Sequence, residues 1–200
     1  MSDNGEVTGR VGLQGSDGDQ RVAIFVDVPN VWATGKEAGE QFDPKALMRA
    51  AREYGHVVVA RAYAAVQWGR TVHSGVTELE RAGFETVCRF VSPEEGYGKD
   101  IDTRLAVELV ETAYEDVADT ILLASADSDY VPALVVARRL GKRLILIQYG
   151  PNACERLAAL ADEIVTIPLA GASAEGKPAN EATARSRRSP ASEPQPKVFA

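Results

Sequence analysis

From residue 21 to residue 168 the chain alternates short apolar, β-rich runs with amphipathic stretches of helical period, and this alternation limits its fold more than any other feature. RVAIFVD (21–27) is almost continuously apolar and then ends in acid, as a strand buried on both faces does. HVVVARAYAAV (56–66), FETVCRF (84–90), DTILLASAD (119–127), KRLILIQY (142–149) and DEIVTIP (162–168) read as further strands. Between them, 44–55, 71–83, 100–116, 128–141 and 153–161 carry helical spacing. Three of these helices close on glycine, at Gly55, Gly83 and Gly141. In the longest, Ile101, Leu105, Leu109 and Ala113 fall on one face. The segment VPN after Asp27 reads as a proline-containing turn, and SPEEGYG (92–98) as a loop. Strands and helices in alternation with short links predict an α/β fold, a three-layer α/β/α sandwich with a central, mainly parallel sheet.

The flanks differ in composition. Residues 1–20 and 171–200 are polar and lack a core-forming pattern, so both are expected to be disordered around a domain at about 21–170. The polar, acidic start does not read as a secretory signal. No apolar run approaches the roughly 18–20 residues that span a bilayer. Cys88 and Cys154 lack metal-type spacing, which argues against zinc and suits a reducing cytoplasm. The net charge of −7 argues against a protein that coats nucleic acid non-specifically, because phosphate binding needs Lys and Arg. From Gly171 onward the balance is mildly basic, with five Lys and Arg against three Glu.

Two strands carry acid at their carboxyl ends, the rim where open α/β sheets bind ligands. The first ends at Asp27, with Asn30 three residues on; the fourth leads into Asp127 and Asp129. Asp102 opens the longest helix. Converged on one rim, these four carboxylates would need a cation to stay ionised together. Hard oxygen ligands suit Mg²⁺ or Mn²⁺, which activates water and stabilises charge on a phosphate. Each acid also has a plainer reading. Asp102 could be a helix cap, and Asp127 and Asp129 could cap the following helix as an Asp-Ser-Asp turn. Glu108, six residues after Asp102, lies about 120° off its face, and either reaches the site or pairs with Lys and Arg. Lys99 and Arg104 flank Asp102 as phosphate contacts or as solvated surface charges. Trp32 is a base-stacking or a packing residue. His56 and His73 have no partner at motif spacing.

These residues resemble a known family. FVDVPNVW resembles the first motif of NYN domains, a branch of the PIN-like nuclease superfamily. KDIDTRLAVELVETAY resembles the second, with Asp102 and Glu108 as its acids. TILLASADSDYVPALVVARRLGKRLILI resembles the third, with Asp127 and Asp129 in an SxDSD-aromatic-x-P pattern, and LAALADEIVTI resembles the closing helix and strand. The likeness is to small, LabA-like members. The chain departs from the pattern in Val28 and Ala126, where glycine is common, and in Glu108, where many members carry Asp. The resemblance implies a PIN-like sandwich and a Mg²⁺- or Mn²⁺-dependent ribonuclease site of Asp27, Asp102, Asp127 and Asp129, with Asn30 beside it. It implies RNA processing or decay as the setting and a homodimer as the assembly, and the RNA partner is expected to be single-stranded. The alternative is a non-catalytic RNA- or protein-binding module on the same fold. A phosphatase using Asp27 as nucleophile is less well matched, because Pro29 stands where such enzymes carry a second Asp.

Overall fold

The computed structural model describes residues 20–37, 42–67, 74–91, 99–149 and 154–167. The expected disordered segments apart from Gln20, the 92–98 loop and His73 lie outside the described residues. Six strands form one all-parallel sheet in the order β3-β2-β1-β4-β5-β6. They are β1 (Arg21–Asp27), β2 (His56–Gln67), β3 (Glu85–Val91), β4 (Thr120–Ala124), β5 (Arg143–Tyr149) and β6 (Glu163–Ile167). The helices are α1 (Val28–Glu37), α2 (Pro44–Arg52), α3 (Ser74–Arg81), α4 (Lys99–Tyr114), α5 (Val131–Arg139) and α6 (Glu155–Ala158).

The layers follow from strand period and crossover hand. Along β1 the side chains alternate. Val22, Ile24 and Val26 enter one core with Val31, Leu47 and Leu79 of α1, α2 and α3. Ala23 and Phe25 enter the other with Leu105, Leu134 and Leu157 of α4, α5 and α6. The chain builds outward from β1 to β3, returns to β4, then builds the other way. Right-handed crossovers therefore place the first three helices on one face and the last three on the other. The expected α4 stripe of Ile101, Leu105, Leu109 and Ala113 is fully in the core. Each of its larger members contributes about 1.5–3 kcal/mol of burial.

The expected glycine stops hold for physical reasons. Gly55 has φ +144°, and a Cβ there would meet the Gln20 carbonyl oxygen at 2.1 Å. Gly83 has φ +97°. The difference from expectation is α1. The segment after Asp27 is no turn, because the chain passes directly from strand to helix. Pro29 fits there, since the first helical turn needs no N–H from it. Val28, where family members often have glycine, is buried in the core. No described helix is long and apolar enough to cross a membrane.

The strand order reverses between β1 and β4, and the crevice at that switch point is where the tips of both strands lie.

Candidate metal centre at the sheet switch point

Asp27 ends β1 on the α4 side of the sheet and is only 3% exposed. Its Oδ1 accepts the Asn30 N–H at 3.2 Å, three residues into the next helix, as an N-cap does. Its Oδ2 accepts the Ser125 hydroxyl at 2.9 Å and the Tyr130 hydroxyl at 3.2 Å. Asp27 makes no ion pair among the described residues. Burial pushes its pKa up to about 6, with the charge of Asp102 adding to the rise; the Asn30, Ser125 and Tyr130 donors oppose it.

The β4 tip is tied to the same point. Strand pairing stops at Ala124, and Ser125–Asp127 leave the sheet to enter a 3₁₀ turn over Ser128–Tyr130. Ser125 Oγ accepts the Asp127 N–H at 3.0 Å while donating to Asp27. The Asn30 side-chain oxygen accepts the Ala126 N–H at 2.9 Å, so Asn30 clamps the two tips together. Asp127 caps the 3₁₀ turn through the Asp129 N–H at 2.9 Å. The first turn of α4 supplies Asp102, whose Oδ1 lies 3.5 Å from the Tyr130 hydroxyl. That hydroxyl is thus shared between two carboxylates. Burial and the neighbouring acids hold it far above the usual tyrosine range, so it stays a protonated donor.

Asp27, Asn30, Asp102 and Asp127 line one cleft of about 150 Å³, with Pro29, Ala65 and Ile101. The other residues singled out in the sequence go elsewhere. Asp129 is exposed and lines a neighbouring groove between α4 and α5. Glu108 is absorbed by Arg61 (3.0 Å), the Tyr63 hydroxyl (2.5 Å) and Arg104 (2.6 Å). Arg104 is therefore committed to Glu108, and the Lys99 side chain lies outside the described residues. Trp32 is 39% exposed on α1. Its indole lies so close to Gly75 that a Cβ there would meet it at 2.3 Å, so the ring packs on backbone. His56 starts β2 at the opposite rim.

Among the described residues, no group of three His, Cys, Asp or Glu side chains stands close enough to hold a metal ion unaided. The donor set is nevertheless hard oxygen throughout, and one member, Asp27, is a buried carboxyl with no cationic partner among the described residues. That fits a hydrated Mg²⁺ or Mn²⁺, which keeps several waters and binds through one or two carboxylates plus substrate phosphate.

Ser125 and Tyr130 were not singled out in the sequence, although both stand inside the SxDSD-aromatic motif. Their signal was a hydroxyl on either side of a carboxylate pair, each bound to need a partner once buried. Arg89 was also missed. It pairs in register with Ala65, a cleft residue, and its guanidinium holds Asp100 in the first turn of α4.

A parallel α/β/α sandwich with carboxylates gathered at its switch point is the arrangement of the PIN-like nuclease superfamily. Within it the chain belongs to the NYN domain family, whose model matches residues 21–168. The chain is 28% identical over 150 residues to an uncharacterized protein of Methanocaldococcus jannaschii, covering 75% of this chain and 56% of that protein. It thus spans about half the length of the curated relative it matches. It is also similar to the crystal structure of a protein of unknown function from Vibrio parahaemolyticus. There the TM-score is 0.64 and the identity 27%, over 76% of this chain and 96% of the other.

Proposed function

We propose that this NYN domain is a metal-dependent ribonuclease that hydrolyses phosphodiester bonds of single-stranded RNA at the switch-point cleft. The observation that carries the reading is Asp27. A nearly inaccessible carboxyl without an ion-pair partner is costly as an anion, and a bound cation offsets that cost. Asp27, Asp102 and Asp127 would hold Mg²⁺ or Mn²⁺, with Asp129 beside them at the rim. When bound, the ion would lower the pKa of water and stabilise charge on the phosphate.

The chain's own groups then have distinct tasks. Ser125 and Tyr130 donate to Asp27 Oδ2 and fix that carboxylate's orientation. Tyr130 also holds Asp102 at a set separation from Asp27. Asn30 locks the β1 and β4 tips, so the carboxylates they carry cannot drift apart. The rim carboxylates orient an attacking water by accepting its protons. Cys88 and Cys154 are free thiols, which supports a reducing cytoplasm as the setting.

The test is a metal titration with pooled RNA substrates. Wild-type protein is expected to cleave with Mn²⁺ and with Mg²⁺ and to be silent in EDTA. Asp127→Asn is expected to fold normally and lose activity. Wild-type protein that cleaves none of the pooled RNAs at any metal concentration overturns the reading. The absence of a ready three-acid cage among the described residues favours a second reading, a binding module without catalysis. In that case RNA binding survives replacement of all four aspartates.

Arg89 is placed to hold a phosphate next to the cleft. Two inter-strand steps put its strand roughly 10 Å from β1. Its partner Asp100 is exposed, so the pair is weak and open to exchange with a phosphate. Arg89→Ala is expected to weaken RNA binding in Ca²⁺ about tenfold and to lower the salt slope by about one unit. An unchanged salt slope would remove Arg89 from the phosphate path.

A further inference from the structure

The face formed by α4 and α5 carries a groove of about 460 Å³ whose walls are mostly aliphatic, including Val107, Val110, Pro132 and Val136. Of the six large hydrophobic residues exposed among the described residues, Val107 and Val136 line this groove, and Tyr114 and Leu140 follow them seven and four residues on, at helical spacing. Val107 is 49% exposed, Val136 36%, Leu140 41% and Tyr114 78%. On α4 the apolar stripe runs through Val107, Val110 and Tyr114, at the three- and four-residue spacing by which a helix presents one face to a partner. A concentrated apolar strip of this kind marks an interaction surface, in contrast to hydrophobic residues scattered singly.

The charges beside the strip say what covers it. Glu111 stands on α4, and Glu115 lies just past its end, whereas Arg139 stands on α5. Among the described residues neither Glu111 nor Arg139 has an ion-pair partner. The basic neighbour of Arg139 is occupied, since Arg138 donates to the Leu160 carbonyl and pairs with Asp162. The strip therefore has an unpaired acid on its α4 side and an unpaired base on its α5 side. Both helices precede strands of one parallel sheet, so they run in the same direction. A two-fold axis lying in this face and parallel to the helices sets α4 of one molecule over α5 of the next. It brings the acidic flank of each onto the basic flank of the other, and apolar strip onto apolar strip.

We infer that the α4–α5 face binds a second copy of this chain, giving an isologous dimer with helices parallel across the interface. The partner is a copy of the same chain because the face is complementary to itself in both charge and hydrophobicity. Helices of 16 and 9 residues are about 24 and 14 Å long, so the interface is of modest size. In this arrangement the N-terminal turns of both α4 helices, each with its Asp102, lie at the same end of the dimer. The two clefts then share one rim. The inference does not depend on catalysis.

Sedimentation velocity of the full chain, from about 1 to about 100 µM, tests it in the range where interfaces of modest size associate. Wild-type protein is expected to move from monomer to dimer across that range. Val107→Asp is expected to stay monomeric with an unchanged thermal transition, because the side chain it replaces is half exposed. Arg139→Glu alone is expected to weaken dimerisation at least tenfold. The exchange Glu111→Arg with Arg139→Glu is expected to restore it. A wild-type monomer at every concentration overturns the inference and assigns the face to a different partner. A dimer untouched by Val107→Asp, or an exchange variant no stronger than Arg139→Glu, overturns it as well.

Discussion

Asp27→Asn is expected to abolish Mn²⁺-dependent RNA cleavage and, in the same molecule, to make the metal-free domain more stable at pH 8. The two effects have one cause. Asp27 is buried at the switch point with its pKa raised from 3.8 to about 6. A carboxyl whose folded pKa is raised contributes stability that is fully present below its unfolded pKa. That contribution is lost as pH rises through the folded value. Above about pH 6 the metal-free protein therefore holds a buried charge at a cost on the order of 3 kcal/mol. Asparagine removes the charge. Its amide cannot accept the Asn30 N–H on one side and the Ser125 and Tyr130 hydroxyls on the other, because half of it is a donor, so the net gain is smaller, about 1–2 kcal/mol.

Catalysis moves the other way. If Asp27 holds the metal as proposed, its loss forfeits several kcal/mol of transition-state stabilisation, roughly a 10³-fold fall in rate. The measurements are urea denaturation in EDTA at pH 5 and pH 8, and thermal unfolding with and without Mn²⁺. Wild type should lose stability between pH 5 and 8 and regain it with Mn²⁺, whereas Asp27→Asn should show neither response. Mn²⁺ binding to the metal-free wild type should strengthen as pH rises through about 6, because the ion has to displace the proton of Asp27. A variant that is less stable than wild type at pH 8, or that still gains stability from Mn²⁺, would reject Asp27 as a metal ligand.

The fold was legible because strand and helix periods are strong signals when a sheet is buried on both faces. RVAIFVD has no polar residue between its ends, and β1 occupies those seven positions. The α4 face was legible because Ile101, Leu105, Leu109 and Ala113 obey one period. Helix α1 was not, because Val-Pro-Asn carries a turn composition. Its helical start depends on Asp27 capping the Asn30 N–H and on Val28 reaching the core, and both are tertiary facts. The carboxylates were legible in kind but not in grouping. Only Ser128 separates Asp127 from Asp129, yet the 3₁₀ turn that Asp127 caps sends one to the cleft and the other toward α5. Ser125 and Tyr130 became visible only once burial made their hydroxyls choose partners.

Glu108→Gln is expected to cost stability while leaving metal-dependent cleavage intact. Burial alone would raise the Glu108 pKa. The Tyr63 and Arg104 hydrogen bonds and the charge of Arg61 outweigh that and hold it below the usual carboxylate range. A depressed pKa means stability that is present above the unfolded value of about 4.5 and lost as pH falls through the folded one. Its carboxylate joins β2 to α4, through Arg61 and Tyr63 on the strand and Arg104 on the helix. A neutral amide cannot satisfy two guanidinium groups and a phenol together, because half of it is a donor. The expected loss at pH 7 is about 2 kcal/mol, a fall in Tm of about 4–8 °C. The loss should fade below pH 4, where the wild-type carboxylate is itself being protonated. Tyr63→Phe should cost less, since it removes one donor and leaves both arginines paired. Cleavage assayed well below the variant's Tm separates this structural role from a role in the site. Unchanged cleavage by a destabilised variant assigns Glu108 to holding α4, and with it Asp102, against the sheet. A variant as stable as wild type that no longer cleaves would return Glu108 to the metal centre.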